Sequence, residues 1–77
     1  MKKIEILGPG CAKCKKLFEN VEMAVRELGV EYEVEKVTDI NEIVAAGVIS
    51  TPAITIDGVV ISSGRVLSVD EIKNILA

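Results

Sequence analysis

Cys11 and Cys14 are the only cysteines of this 77-residue chain, and Ala12 and Lys13 separate them. Two thiols at this spacing can form and break a disulfide with each other, or can together hold a soft metal ion. The pair follows the turn at residues 8–10, Gly-Pro-Gly, and precedes a strongly helix-patterned segment. A Cys-x-x-Cys motif between a predicted strand and a predicted helix favours redox chemistry.

The position of each cysteine predicts its part in that chemistry. Cys11 stands at the start of the predicted helix, where unpaired N–H groups and the helix dipole stabilise an anion, so we assign it as the attacking thiolate. Cys14 lies one turn later on the apolar stripe, and we expect it to be buried and to act as the resolving thiol. Lysines crowd the motif. We assign Lys13 to lowering the Cys11 pKa, with an ordinary solvated lysine face as the alternative.

A metal site is the main alternative use of the two thiols. The chain has no histidine and no third cysteine, whereas a closed zinc site normally needs four ligands. Cu(I) accepts two thiolates, so a non-enzymatic soft-metal carrier or redox-sensing adaptor stays open. The interpretation we favour is an oxidoreductase that needs no metal and no cofactor.

Composition excludes other function classes. The net charge is −3 and the only aromatic residues are Phe18 and Tyr32, whereas a nucleic-acid partner would select for a basic face or stacking aromatics. No apolar run approaches the roughly 18 residues of a membrane span, so we expect no membrane partner and a cytoplasmic location. In that compartment a single cysteine pair is more often catalytic or metal-binding than structural. We expect one domain over residues 1–77, acting as a monomer.

Apolar periodicity and turn signals predict an α/β chain in the order β-α-β-α-β-β-α. The predicted elements are a strand over 3–7, a helix over 15–28 ended by Gly29, a strand over 30–37, a short helix capped by Asp39 with Glu42 and stopped by Gly47, strands over 53–56 and 59–62 joined by Asp57-Gly58, and a last helix capped by Ser68 with Glu71.

Two of these elements also predict which side chains are buried. The second strand alternates strictly, which places its apolar side chains inward and its glutamates on a solvent-facing edge. The inward set is Val30, Tyr32 and Val34, and the outward set is Glu31, Glu33 and Glu35. In the last helix we expect four apolar side chains to be buried, namely Val69, Ile72, Ile75 and Leu76.

The motif and the element order make the chain resemble the thioredoxin superfamily over essentially its whole length. Two further signals support the resemblance: Thr51-Pro52 just before the third strand, and the Asp57-Gly58 hairpin that leads to a capped last helix. The chain is most similar to the small archaeal and bacterial thioredoxin/glutaredoxin-like proteins often named redox-active disulfide proteins. The resemblance implies a thioredoxin-like four-stranded mixed sheet of order 2-1-3-4 with three helices, its third strand antiparallel to the first.

The resemblance also implies an activity and its partners. It implies exchange with protein disulfides through Cys11 and Cys14, and an external disulfide reductase, similar to thioredoxin reductase, that restores the dithiol. It implies a cis peptide bond before Pro52, with Thr51 and Pro52 facing the sulfurs and binding the substrate chain.

Several positions depart from the family pattern. Thioredoxins usually carry Trp-Cys-Gly-Pro-Cys, whereas Gly10 precedes Cys11 here and the dipeptide is Ala-Lys. Many place a buried Asp beneath the second cysteine, and the matching position is Glu5, to which we assign pKa tuning as a proton relay. An ordinary strand residue on an open sheet face is the alternative for Glu5. The residues with which glutaredoxins bind glutathione are not evident in this sequence.

Overall fold

The structure, a computed structural model, describes residues 2–77. Its elements in chain order are β1 (Lys2–Leu7), α1 (Ala12–Leu28), β2 (Tyr32–Val37), α2 (Ile40–Ala45), β3 (Ala53–Ile56), β4 (Val59–Ser63) and α3 (Val69–Leu76). The strands form one sheet of order β2-β1-β3-β4. β1 pairs parallel with β2 and antiparallel with β3, and β3 pairs antiparallel with β4. The predicted thioredoxin-like α/β fold is therefore confirmed, including its strand order.

Alternation along β1 divides the core between the two faces of the sheet. Ile4 and Ile6 point to the face covered by α1 and α3, where the larger cluster forms, whereas Leu7 points to the face covered by α2. The larger cluster consists of Ile4, Ile6, Leu17, Val21, Ala24, Ile54, Leu67 and Ile72. The smaller cluster consists of Leu7, Ile43, Val48 and Ala53. The carboxyl end of central strand β1 is buried on both faces, by Ile6 on one and Leu7 on the other, so the residues that follow it are held firmly.

Helix α1 begins at Ala12, three residues earlier than predicted, with Cys11 as its N-cap in an extended conformation. The motif therefore occupies the first turn of the helix itself. Gly29 ends the helix in the left-handed conformation, with φ of 67°, as predicted for a glycine at this position. Within residues 2–77, no helix has the length and apolar character needed to cross a bilayer.

Two burial predictions need correction. The second strand starts at Tyr32 instead of Val30, because the chain leaves the left-handed turn at Gly29 before it joins β1, and Val30 stays 38% exposed. In α3, Ile72 alone of the four predicted side chains is fully buried, Val69 and Leu76 are half-buried, and Ile75 is 40% exposed. A two-turn helix at the surface buries one stripe, and Ile75 lies at its edge.

The predicted turn and N-cap residues take their predicted places within residues 2–77, but Glu42 does not complete a capping box with Asp39. Asp57 and Gly58 both have positive φ, 50° and 84°, which is the two-residue type I′ hairpin turn. Asp39 caps α2 by accepting from two backbone N–H groups. Ser68 and the side chain of Glu71 form a reciprocal capping box at the start of α3, and this box fixes the helix that packs beside α1.

Replacing Ser68 by Ala should lower the free energy of unfolding by about 1 kcal/mol, because the Glu71 N–H at the helix start loses its acceptor. Urea denaturation followed by circular dichroism measures the change. Ser63→Ala, an exposed position in β4, is the matched control and should shift stability by less than about 0.5 kcal/mol. Equal effects of the two substitutions would contradict the capping role.

Candidate active site

The two cysteines stand at the carboxyl end of β1, where residues 8–10 connect the strand to α1. The Gly8 N–H donates to the Val37 carbonyl at 2.9 Å, which extends the β1–β2 pairing by one residue. A Cβ at Gly8 would collide with the Cys14 sulfur. Glycine at this position therefore lets α1 set Cys14 directly against the backbone of the preceding turn.

The sulfur atoms of Cys11 and Cys14 lie 2.9 Å apart, and both cysteines are free thiols. Cys11 is exposed to solvent, whereas the Cys14 residue is only 6% exposed. This contrast agrees with the expectation from the helix pattern. One sulfur can therefore reach a partner molecule while the other contacts only its neighbour and the protein interior.

The pKa of Cys11 is lowered from its ordinary value. The main cause is the hydrogen bond with the Cys14 thiol, and the second is the backbone N–H of Cys14, with a smaller contribution from the Lys13 N–H. None of these amides makes a full capping hydrogen bond to the sulfur, yet all belong to the first turn of α1. The thiolate of Cys11 is therefore stabilised mainly by its neighbouring thiol and then by the start of the helix.

The pKa of Cys14 is raised, first because the thiol is buried and second because it hydrogen-bonds to Cys11. Either sulfur could be the donor by geometry alone. The two pKa values are shifted in opposite directions, which indicates that the Cys14 thiol is the donor in the hydrogen bond and the Cys11 sulfur is the acceptor. As the pH rises, Cys11 therefore loses its proton before Cys14 does.

Lys13 lies in the first turn of α1 with its residue exposed to solvent. Its backbone N–H is one of the groups that lower the Cys11 pKa, which agrees with the expectation that unpaired N–H groups at the helix start stabilise the anion. α1 has no acidic residue in its first turn. No carboxylate of that turn therefore opposes the anion at Cys11.

Glu5 and Cys14 line different cavities. Glu5 lies on the α2 face of the sheet, where the Thr55 hydroxyl donates to its carboxylate at 3.4 Å and where it shares a groove with Lys3 and Glu35. The cavity beside Cys14 includes Ile6 and lies on the other face. The structure therefore does not bring the Glu5 carboxylate into the wall beside the buried sulfur.

Thr51 and Pro52 lie next to the motif. Their peptide bond is cis, Pro52 is fully buried, and Thr51 is half-buried. A side chain at Gly8 would meet both the Cys14 sulfur and the Thr51 Cβ, so these three residues meet at one point. The Pro52 carbonyl accepts from the Gly64 N–H at 2.8 Å, which ties this loop to the end of β4.

A cavity beside Cys14 was missed by the sequence analysis. Its wall includes Lys36 and Thr38 from the end of β2 and the residue that follows it. β1 and β2 pair parallel, so their carboxyl ends lie at the same edge of the sheet. The predicted parallel order of these two strands could therefore have indicated that the end of β2 lies beside the cysteines. Within residues 2–77, no group of three or more His, Cys, Asp or Glu side chains is arranged to hold a metal ion.

Comparison with known proteins agrees with this geometry. A family model described as a thioredoxin domain matches residues 2–77. A thioredoxin of Methanocaldococcus jannaschii is 50% identical over 70 residues, which cover 91% of this chain and 80% of the relative. A thioredoxin of Methanothermobacter thermautotrophicus is 44% identical over 77 residues, the whole length of both chains. On this evidence, the chain belongs to the thioredoxin family.

Proposed function

We propose that this protein is a protein disulfide oxidoreductase that exchanges its Cys11–Cys14 dithiol with disulfides of other proteins. One observation carries the proposal: an exposed and a buried sulfur lie 2.9 Å apart, with the pKa of the exposed one lowered and that of the buried one raised. Attack requires thiolate character and access, and Cys11 has both.

In the first step the Cys11 thiolate attacks one sulfur of a partner disulfide. The partner S–S bond breaks, a bond forms between Cys11 and the attacked sulfur, and the other partner sulfur leaves with the electron pair as a thiolate. Cys14 holds its proton during this step, because burial raises its pKa. The product is a mixed disulfide at the exposed end of α1.

In the second step Cys14 attacks the Cys11 sulfur of the mixed disulfide. Its proton goes to the departing partner thiol or to water, the bond between Cys11 and the partner breaks, and a Cys11–Cys14 disulfide forms. The short distance between the two sulfurs in the free protein means that little motion is needed, so the step is effectively intramolecular. The partner leaves with both its sulfurs reduced.

Thr51 and Pro52 are the proposed contact for the substrate chain. Thr51 is half-buried and lies beside Gly8 and Cys14, so a partner segment that reaches Cys11 also passes the Thr51 backbone. An extended segment there could pair with that backbone as an added strand would. Buried Pro52 closes the inner side of the sulfur pair to water.

The remaining assignments concern the source of electrons and the groups that adjust the pKa of the cysteines. An external disulfide reductase returns two electrons to the Cys11–Cys14 disulfide, and we place the cycle in the cytoplasm, where such a pair is kept reduced. The Lys13 ammonium adds to the stabilisation of the thiolate. Glu5 lines the groove on the opposite face of the sheet from the cavity beside Cys14, so a proton relay from Glu5 to Cys14 would need a further group between them.

Substituting each cysteine in turn separates their roles. With insulin as the disulfide substrate, wild-type protein and a recycling dithiol should give catalytic turnover. Cys14→Ser should cleave one disulfide and stop as a stable mixed disulfide, because the resolving thiol is missing. Cys11→Ser should form almost no mixed disulfide, because the remaining thiol is buried. Mass spectrometry of each variant after incubation with insulin measures the adducts.

Two results would count against this proposal. Adducts that form on Cys11→Ser but not on Cys14→Ser would reverse the assignment of the attacking thiol. Absence of insulin turnover by the wild type would favour the non-enzymatic alternative, a soft-metal carrier or redox-sensing adaptor.

The rate of Cys11 alkylation should depend on pH. Since the pKa of Cys11 is lowered, its alkylation by iodoacetamide should reach half its maximal rate below pH ~8.5, the usual value of a free thiol. The rate falls as pH drops through the Cys11 pKa, because the thiolate is then protonated. Lys13→Gln should raise the midpoint, because it removes the ammonium that we propose adds to the stabilisation of the thiolate. An unfolded sample in urea is the control, and equal midpoints for folded and unfolded protein would refute the lowered pKa.

A further inference from the structure

Four lysines lie close to the cysteine pair, where β1 and β2 end and α1 begins. Three of them belong to the first two turns of α1, and the fourth stands near the end of β2. All four are exposed to solvent: Lys13, Lys15, Lys16 and Lys36. Lys15 and Lys36 line the same cavity as Cys14, so both elements bring positive charge to the motif. We call these four residues the lysine group.

Within residues 2–77, no member of the lysine group forms an ion pair with a carboxylate. The ion pairs of this part of the chain lie at 3.0–3.1 Å and join other residues. Glu19, one turn beyond Lys15 on α1, is not among their partners. Asp39, which follows β2, accepts instead from two backbone N–H groups at the start of α2. The charge of the lysine group therefore stays available to another molecule.

The lysine group opposes the folding preferences of its own helix. Cations at the start of a helix are repelled by the positive end of the helix dipole, and α1 has no acidic residue in its first turn to offset them. Like charges at helical spacing also repel one another. Departures from local folding rules of this kind occur mainly at functional sites. A partner molecule therefore explains the position of these lysines better than folding does.

The charge around the attacking sulfur is positive in an acidic protein. Residues 1–16 contain five lysines and one glutamate, whereas the whole chain has a net charge of −3. The four ammonium groups outnumber the single Cys11 thiolate, so the surface stays positive in the reactive form. A partner with carboxylates beside its disulfide is attracted to this surface, and a partner with ammonium groups there is repelled.

Part of the lysine group lies on the other side of the cysteines from Thr51. In the sheet order β2-β1-β3-β4, the motif follows β1, Lys36 belongs to β2, and Thr51 comes just before β3. The Lys36 ammonium lies 4.5 Å from the centre of the Phe18 ring, which holds it beside α1. A partner segment can therefore pair with the Thr51 backbone and meet lysines on the β2 side at the same time.

We propose that the lysine group selects partner disulfides that are flanked by acidic residues. The inference rests on the proposed dithiol–disulfide function and names the class of protein on which it acts. Carboxylates beside the partner disulfide approach the ammonium groups while one of its sulfurs meets Cys11. The bonds made and broken are those of the exchange described above, and the lysines transfer neither electrons nor protons.

The test uses three synthetic peptides that differ in charge. Each has one cysteine in a disulfide with 4-thiopyridine, and that cysteine has two glutamates, two glutamines or two lysines on each side. The Cys11 thiolate attacks the peptide sulfur, and 4-thiopyridine leaves with the electron pair, so its absorbance gives the rate. At about 0.1 M ionic strength, where the Debye length is about 10 Å, we expect the glutamate peptide to react fastest and the lysine peptide slowest.

Lys15→Gln/Lys36→Gln removes two members of the lysine group and keeps Lys13, to which we assign stabilisation of the thiolate. It should slow the glutamate peptide about fivefold relative to the glutamine peptide and speed the lysine peptide by a similar factor. One charge pair about 10 Å apart changes a rate about 1.3-fold at this ionic strength, and the four peptide charges multiply this effect. Division by the glutamine-peptide rate cancels any change in the reactivity of Cys11.

Lys2→Gln/Arg26→Gln is the matched control, because it removes the same number of positive charges far from the motif. Lys2 begins β1 and Arg26 lies in the last turn of α1, about 20 Å from the cysteines by the rise of a strand or helix. Screening over about two Debye lengths should keep its rate ratios within about 1.5-fold of the wild type. Raising the ionic strength to about 1 M should bring the three wild-type rates together.

The outcomes separate this inference from the function on which it rests. Equal wild-type rates for the three peptides would overturn the inference and leave the thiol chemistry standing. A glutamate preference that survives in Lys15→Gln/Lys36→Gln, or that falls equally in the control, would overturn the assignment to the lysine group. Failure of all three peptides to react would overturn the proposed dithiol function, and this inference with it.

Discussion

The hydrogen bond between the Cys11 and Cys14 sulfurs, 2.9 Å apart, gives two identical side chains different chemistry. It is the main cause of the lowered Cys11 pKa, and it contributes to the raised Cys14 pKa after burial. The contact depends on a backbone without a side chain at Gly8, since a Cβ there would displace the Cys14 sulfur. The absence of a side chain at Gly8 thus permits the sulfur–sulfur contact that helps to move the two pKa values apart.

The fold supports that contact from both sides. Central strand β1 ends immediately before the motif, and α1 carries Cys14 on the same buried stripe as Leu17 and Val21. Because this stripe packs against the sheet, the helix cannot rotate Cys14 toward solvent without exposing its apolar neighbours. Cys11, at the N-cap, lies just outside the stripe and stays exposed. The difference in burial between the cysteines is therefore a consequence of helix packing.

Local signals were sufficient to predict the fold and the cysteine pair. The element order, the capping box at Ser68 and the hairpin at Asp57-Gly58 all depend on short-range chemistry. Contacts between residues that are distant in sequence were harder to predict. The cavity with Lys36 depends on two strand ends that are distant in sequence, and the position of Glu5 on the other face from that cavity depends on strand register. Burial of Ile75 was overestimated because periodicity does not show the width of the packed stripe.

Measuring the Cys11 pKa in Cys14→Ala and Cys14→Ser shows whether a hydrogen-bond donor at position 14 stabilises the Cys11 thiolate. Both variants lose the second thiol, but only serine keeps a side-chain donor that can reach the Cys11 sulfur. Thiolate absorbance at 240 nm, titrated for each variant, gives the Cys11 pKa. We expect a clearly higher Cys11 pKa in Cys14→Ala than in Cys14→Ser. Equal and low values in the two variants would contradict it, because the start of α1 alone would then stabilise the thiolate.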